Sequence, residues 1–377
     1  MTIEIGRRYF LGMAGAATLV GPAMGRQRRP RRVRRPTLIV NALGGLDDPN
    51  VTGEAGERII SDRIIADARA SGLTAVNVTM GYVSGNGEPF EQSVREIARW
   101  DARLNGRQND LIKILSAADI LRASRENKIG IIYGFQNAAM MGSDASRVDA
   151  FADLGVRVIQ LTYNPANSLG GGSMAPGDPG LTDFGREVID RLNRNKVMVD
   201  LSHSGRQTCL DAARASRRPI SINHTGCRAL VDMPRNKSDE ELRLVAEGGG
   251  FVGIYFMPFL NPASVATAED VVAHIDHAVN VCGEDHVGIG TDGGTSGIDD
   301  MAAFRASTRA EVAQRRAAGI GAAGENPDTL PFVEDLSGPE QFHRLITLLG
   351  QRGYGEARIE KILGLNFVNY GREVWGA

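Results

Sequence analysis

A chain of 377 residues with 42% apolar residues, 23% charged residues and three cysteines can bury one large core or two medium ones, which excludes a disulfide-stapled miniprotein and a chain disordered over most of its length. No run of about 18 uncharged apolar residues with a spanning helix's flanks occurs, which excludes a multi-pass membrane protein. The net charge of −2 divides into +8 over residues 1–35 and −10 over residues 36–377, so a basic arm precedes an acidic body.

In chain order the first element is an address. Arg7-Arg8 stand just before Phe10-Leu11, a Gly/Ala-rich apolar run covers 12–20, and Ala23 and Gly25 place small residues where a signal peptidase reads. Residues 1–25 are therefore expected to be a twin-arginine export signal, with the periplasm as destination. Residues 26–36 follow as a basic arm with seven arginines in RQRRPRRVRR. A solvated spacer or a contact with an anionic surface fits that charge, and nucleic acid is not expected as a partner of an exported protein.

The body, 37–377, alternates short β-branched apolar runs with longer segments of helical period. Strands are predicted at 38–41, 74–80, 130–135, 156–163, 197–202, 219–223, 251–256 and 287–292, and helices at 56–71, 90–104, 146–154, 182–195, 206–215, 238–246 and 268–282. Thr182 and Ser238, each with an acidic residue following, read as helix N-caps. Eight βα units whose strands read as buried on both faces predict an α/β fold, a (β/α)8 TIM barrel with C-terminal helices from 338 onward. The alternative, a doubly wound sheet, lacks a G-x-G-x-x-G after the first strand, and the glycine runs at 170–172 and 248–250 lack the Lys-Ser/Thr of a phosphate loop.

A barrel of this kind carries its chemistry at the C-terminal strand ends. Two of the six histidines, His203 and His224, stand at the ends of consecutive strands, and a pair of neutral imidazoles there suits zinc at about 2.0–2.1 Å per nitrogen. Asp292 ends the last strand, as a ligand or as a general base. His274 and His277 are expected on the outer surface of a helix. Cys209, Cys227 and Cys282 fit no zinc-binding spacing and read as small core residues. The Gly/Pro-rich loop 164–180 is expected to wall the pocket, and the excursion 293–337, helical around 301–318, to act as a lid or dimer contact.

These residues place the chain in resemblance to the membrane (renal) dipeptidases, zinc-dependent barrels of the amidohydrolase superfamily. The resemblance runs from about Leu38 to Trp375 and is carried by GLTDFGREV at 180–188, VDLSH at 199–203, PISINH at 219–224, Arg228-Ala229-Leu230, Arg235-Asn236 and ILGLNF at 362–367. It implies a metallo-dependent-hydrolase barrel, a homodimer and a small peptide-like substrate. It further implies that His203 and His224 serve one zinc, that Arg235 grips the substrate carboxylate through its planar fork, and that Asp292 sits near the free amine and the catalytic water.

Several functional positions depart from the family pattern. The His-x-Asp pair expected after the first strand reads Leu43-Gly44-Gly45, the bridging glutamate is Gln136, and the catalytic histidine is Tyr163. Asp47-Asp48 follow the lost pair and would reach inward only with a slip of register. The expectation is zero or one zinc rather than two, on His203 and His224 with a weak contribution from Gln136. Asp292 and Tyr163 are the catalytic candidates, and Arg235, Tyr163 and Asn164 the substrate-binding ones. Three readings stand: an exported dipeptidase-like protein that works on or binds peptide-like metabolites without the two-zinc mechanism; a single-zinc dipeptidase or N-acyl amino acid hydrolase on His203, His224 and Asp292; and a metal-free acid/base enzyme in the same pocket.

Overall fold

The computed structural model describes residues 38–51, 59–85 and 87–376. The export segment at 1–25 and the basic arm at 26–36 lie outside the described residues.

Eight parallel strands form the barrel: β1 (Val40–Gly44), β2 (Ala75–Thr79), β4 (Ile129–Phe135), β5 (Val156–Gln160), β6 (Met198–Asp200), β7 (Ser221–Thr225), β8 (Phe251–Ile254) and β9 (Val287–Ile289). Each pairs with the next in that order. Both faces are covered, which is why the strands read as apolar runs without alternation. The ring closes between β9 and β1 by side chain and loop rather than by a strand ladder. Asn41 donates to Thr291 Oγ1 (2.8 Å) and accepts from Thr291 N (2.8 Å), and just beyond the strand Asp292 N donates to the Leu43 carbonyl (3.0 Å).

The eight predicted strands are present. A ninth, β3 (Leu111–Lys113), was not predicted; it runs beside the first half of β4, with Leu111 opposite Ile129. The helix Ala117–Arg125 behind it also escaped the periodicity, although Ser116 and Asp119 mark its start: the Asp119 carboxylate accepts from Ser116 N at 2.9 Å. The predicted caps hold, with Thr182 Oγ1 accepting from Gly185 N (3.0 Å) and Ser238 Oγ exchanging bonds with Glu241.

The C-terminal helix, Asn366–Trp375, seals the N-terminal end of the barrel. Val40, Ala75, Met198 and Phe251, the first residues of their strands, cluster with its Phe367, Tyr370 and Trp375. Burying each such large side chain contributes about 1.5–3 kcal/mol, so this end is a closed core and chemistry is left to the other. Cys209, Cys227 and Cys282 are buried and unpaired, as expected of core residues. His274 is a correction. It is 1% exposed, its Nδ1 accepting from Cys227 N (2.9 Å) and its Nε2 donating to the Leu260 carbonyl (3.1 Å), because its side of the helix Ala268–Cys282 faces the barrel.

Candidate active site

The ends of β5, β6 and β7 bring His203 and His224 together. The Asp200 carboxylate accepts from Ser202 N (3.0 Å), Ser202 Oγ (2.5 Å) and Asn223 N (3.0 Å), which turns the chain after β6 and ties it to β7. The turn sets His203 Nε2 at 3.0 Å from His224 Nε2.

Asn164 decides where the protons lie. Its amide nitrogen donates to the Ile320 carbonyl (2.9 Å), so its oxygen faces His203 and takes the Nδ1 proton at 2.7 Å. His203 Nε2 is then a lone pair, and His224 Nε2 donates to it. His224 Nδ1 keeps a buried lone pair with no partner among the described residues. Burial, and the fields of Arg235 and Lys237, hold both imidazoles well below their ordinary pKa, so both are neutral at pH 7.

Tyr163 covers the pair. Its ring stacks on His203 with centroids 4.2 Å apart and planes inclined by 27°, and its other side lines a cavity of about 850 Å³ at the barrel mouth. His203, His224 and Arg235 do not reach that cavity, being 4%, 0% and 2% exposed. The loop 164–180, expected as a pocket wall, lies on the other side of Tyr163. It approaches so closely that a Cβ at Gly172 would meet the Tyr163 carbonyl at 2.0 Å.

The cavity wall comes from elsewhere. Phe256, Met257 and Phe259 follow β8, and the excursion 293–337 supplies Met301 and Phe304 from its helix, Met301–Ala317, together with Leu330. Gln136, Tyr163 and Asp292 are the predicted site residues that face it. Gln136 donates its amide to Thr79 Oγ1 (2.6 Å). Asp292 stands in left-handed backbone, φ 59°, and burial raises its carboxyl to about 6 against the opposing fields of Arg235 and Arg315. Asp47 also lines the cavity from just past β1.

Two residues missed in the sequence complete the wall. Arg315, on the helix Met301–Ala317, donates through Nε to Glu325 (2.8 Å) and points Nη2 at the Tyr163 hydroxyl (3.4 Å). Nothing local in the sequence marks them: Arg315 inside an amphipathic helix reads as a solvated face, and Glu325 stands in the loop after that helix. Arg235, the predicted carboxylate residue, is turned inward instead: Nη1 donates to the Ser202 carbonyl, Nη2 has no partner among the described residues, and the guanidinium lies 5.9 Å from the Tyr255 ring. Among the described residues no three His, Cys, Asp or Glu side chains come together around a point that could hold a metal ion.

A parallel barrel with a helical excursion over its C-terminal mouth and paired histidines on consecutive strands is the architecture of the metal-dependent hydrolases. Residues 72–315 match the model of the membrane dipeptidase family, peptidase family M19, and the chain belongs to that family. A relative from Klebsiella pneumoniae, an uncharacterized protein in the pqqA 5′ region, is 30% identical over 272 residues, 69% of this chain and 88% of its own length. Dipeptidase tcpJ of Claviceps purpurea is 29% identical over 68% of this chain, which spans 54% of that enzyme's length. The crystal structure of an amidohydrolase from Pseudomonas aeruginosa superposes with a TM-score of 0.76 at 31% identity, covering 90% of this chain and 97% of the other.

Proposed function

We propose that the protein acts on dipeptides or peptide-like small metabolites in the cavity at the barrel mouth, and that it does so without the two-zinc mechanism of its family. One observation carries the second half. The two histidines are hydrogen-bonded to each other beneath Tyr163, with no carboxylate completing a ligand set among the described residues and with Arg235, Lys237 and Arg315 as the nearby charges. Zinc takes four ligands, and a bridged pair takes anionic ones. Two imidazoles with no carboxylate beside them among the described residues do not fit a two-zinc centre.

The chain's own residues suffice for recognition and proton transfer. With a pKa of about 6, Asp292 is about nine-tenths ionised at pH 7, and it faces the cavity as a proton acceptor or as a partner for a substrate ammonium. The Tyr163 hydroxyl lines the same cavity as a hydrogen-bonding group. The apolar wall selects peptide-like molecules with apolar side chains.

The competing reading is a single zinc on His203 and His224. It is favoured by the 3.0 Å separation of the two Nε2 atoms, close to the ~3.3 Å that two tetrahedral nitrogen ligands would span. Apolar dipeptides and N-acyl amino acids, incubated with the processed protein with and without a chelator, test both. Turnover or binding that survives chelation is expected; loss on chelation with recovery on added zinc would establish the single-zinc reading.

Export by the twin-arginine route to the periplasm is part of the same proposal and rests on Arg7-Arg8 and the apolar run that follows. A reporter fused after residue 36 should reach the periplasm, and an Arg7→Lys/Arg8→Lys variant should stay in the cytoplasm.

A further inference from the structure

We propose that Arg315, on the helix over the barrel mouth, receives the carboxylate of the ligand in place of Arg235, and that the ligand is a peptide-like acid carrying a bulky apolar group. This rests on the peptide-directed reading of the cavity given above and says which end of the ligand is read where.

Access distinguishes the two guanidinium groups. Arg315 lines the cavity, whereas Arg235 is 2% exposed, does not line it, and has one arm on the Ser202 carbonyl. A ligand carboxylate in the cavity therefore meets one guanidinium without rearrangement. That guanidinium is held in place: Glu325 accepts from Nε at 2.8 Å, and the contact with the Tyr163 hydroxyl is long at 3.4 Å, a bond a carboxylate displaces easily. Neither contact uses Nη1. A guanidinium oriented through Nε offers its Nη edge to a carboxylate in the bidentate manner that gives such pairs both strength and geometry.

Charge complementarity supports the assignment. Arg315, paired with Glu325, is the basic residue of a cavity whose acids are Asp47, Asp292, Glu311 and Glu325, and the field of Arg315 is felt at Asp292. A zwitterionic peptide has the matching pair of ends. The same cavity is lined by Phe256, Phe259, Met301, Phe304 and Leu330, and about 850 Å³ lies in the upper part of the range that accommodates drug-sized molecules, well beyond two small residues.

The test is calorimetric titration of the processed full chain with Leu-Phe, Phe-Leu and N-octanoyl-phenylalanine, each beside its C-terminal amide. In the unaltered protein the acid should bind roughly 10- to 100-fold tighter than the amide. In Arg315→Met that preference should fall to near unity with the amide's affinity unchanged, and Arg315→Lys should restore part of it. Arg235→Met, or Arg235→Lys should the first fail to fold by circular dichroism, should keep the preference. Should Arg315→Met retain the acid preference, or weaken acid and amide alike, the assignment is overturned while the peptide reading stands. Should neither acids nor amides bind the unaltered protein, the peptide reading falls and the assignment with it.

Discussion

Asn164 joins the excursion over the barrel mouth to the buried histidine pair: its amide nitrogen donates to the Ile320 carbonyl at 2.9 Å while its oxygen accepts the His203 Nδ1 proton at 2.7 Å. One side chain thereby fixes both the tautomer of His203 and the seat of the segment after the helix Met301–Ala317. Asn164→Leu leaves a buried N–H and a carbonyl without partners, at a cost of about 2–4 kcal/mol. The expected outcome is a lowered denaturation midpoint together with faster amide exchange around residues 318–321; a lowered midpoint with unchanged exchange there would separate the two.

Tyr163 acts as a lid over His203, and its removal is expected to be visible chemically. In the unaltered protein diethyl pyrocarbonate should modify His277, His286 and His343, which are partly accessible, and spare the buried His203, His224 and His274. Tyr163→Ala should expose His203 to the cavity and add it to the modified set, read by peptide mass spectrometry. Tyr163→Phe keeps the stacking and should leave His203 protected.

The raised pKa of Asp292 sets a pH dependence of stability. Between about pH 4 and pH 6 the folded protein holds a proton that the unfolded chain has released, so stability falls as pH rises through that window and the penalty is complete above about pH 6. From 3.8 to about 6 corresponds to at most about 3 kcal/mol, and to about 2 for a side chain that keeps some exposure. Asp292→Asn removes the charge and suits the left-handed backbone at φ 59°. Its denaturation midpoint should exceed that of the unaltered protein at pH 7–8, the gain should vanish below pH 4, and turnover or zwitterion binding should be lost.

Barrel closure rests on Asn41. Asn41→Leu keeps the volume but strips Thr291 N of its partner at the β1–β9 seam and leaves Thr291 Oγ1 with Gly293 alone. A loss of about 1–3 kcal/mol is expected, with increased exchange of the amides of residues 287–293.

The barrel was legible because parallel strands covered on both faces read as apolar runs, and eight of them recur with helices between. Leu111–Lys113 was not, since three residues with one buried side chain give no periodicity. His203, His224, Asp292 and Tyr163 could be named because strand ends are where a barrel places its chemistry. What stayed hidden was orientation. No local signal told that Tyr163 would face the cavity and His203 lie behind it, that Arg235 would turn toward the Ser202 carbonyl, or that Arg315, about 80 residues further along the chain, would take its place on the wall. Those facts arise from the packing of the excursion 293–337 on the tip of β5, a contact between segments more than 100 residues apart.

The central claim, a barrel that has given up the two-zinc centre, is tested most directly by metal content. Protein purified without chelators or a histidine tag would be assayed by inductively coupled plasma mass spectrometry beside a His203→Ala/His224→Ala variant. The account predicts no zinc above that variant. One zinc per chain that vanishes in the variant would move the conclusion to the single-zinc reading, and two that vanish would contradict the account.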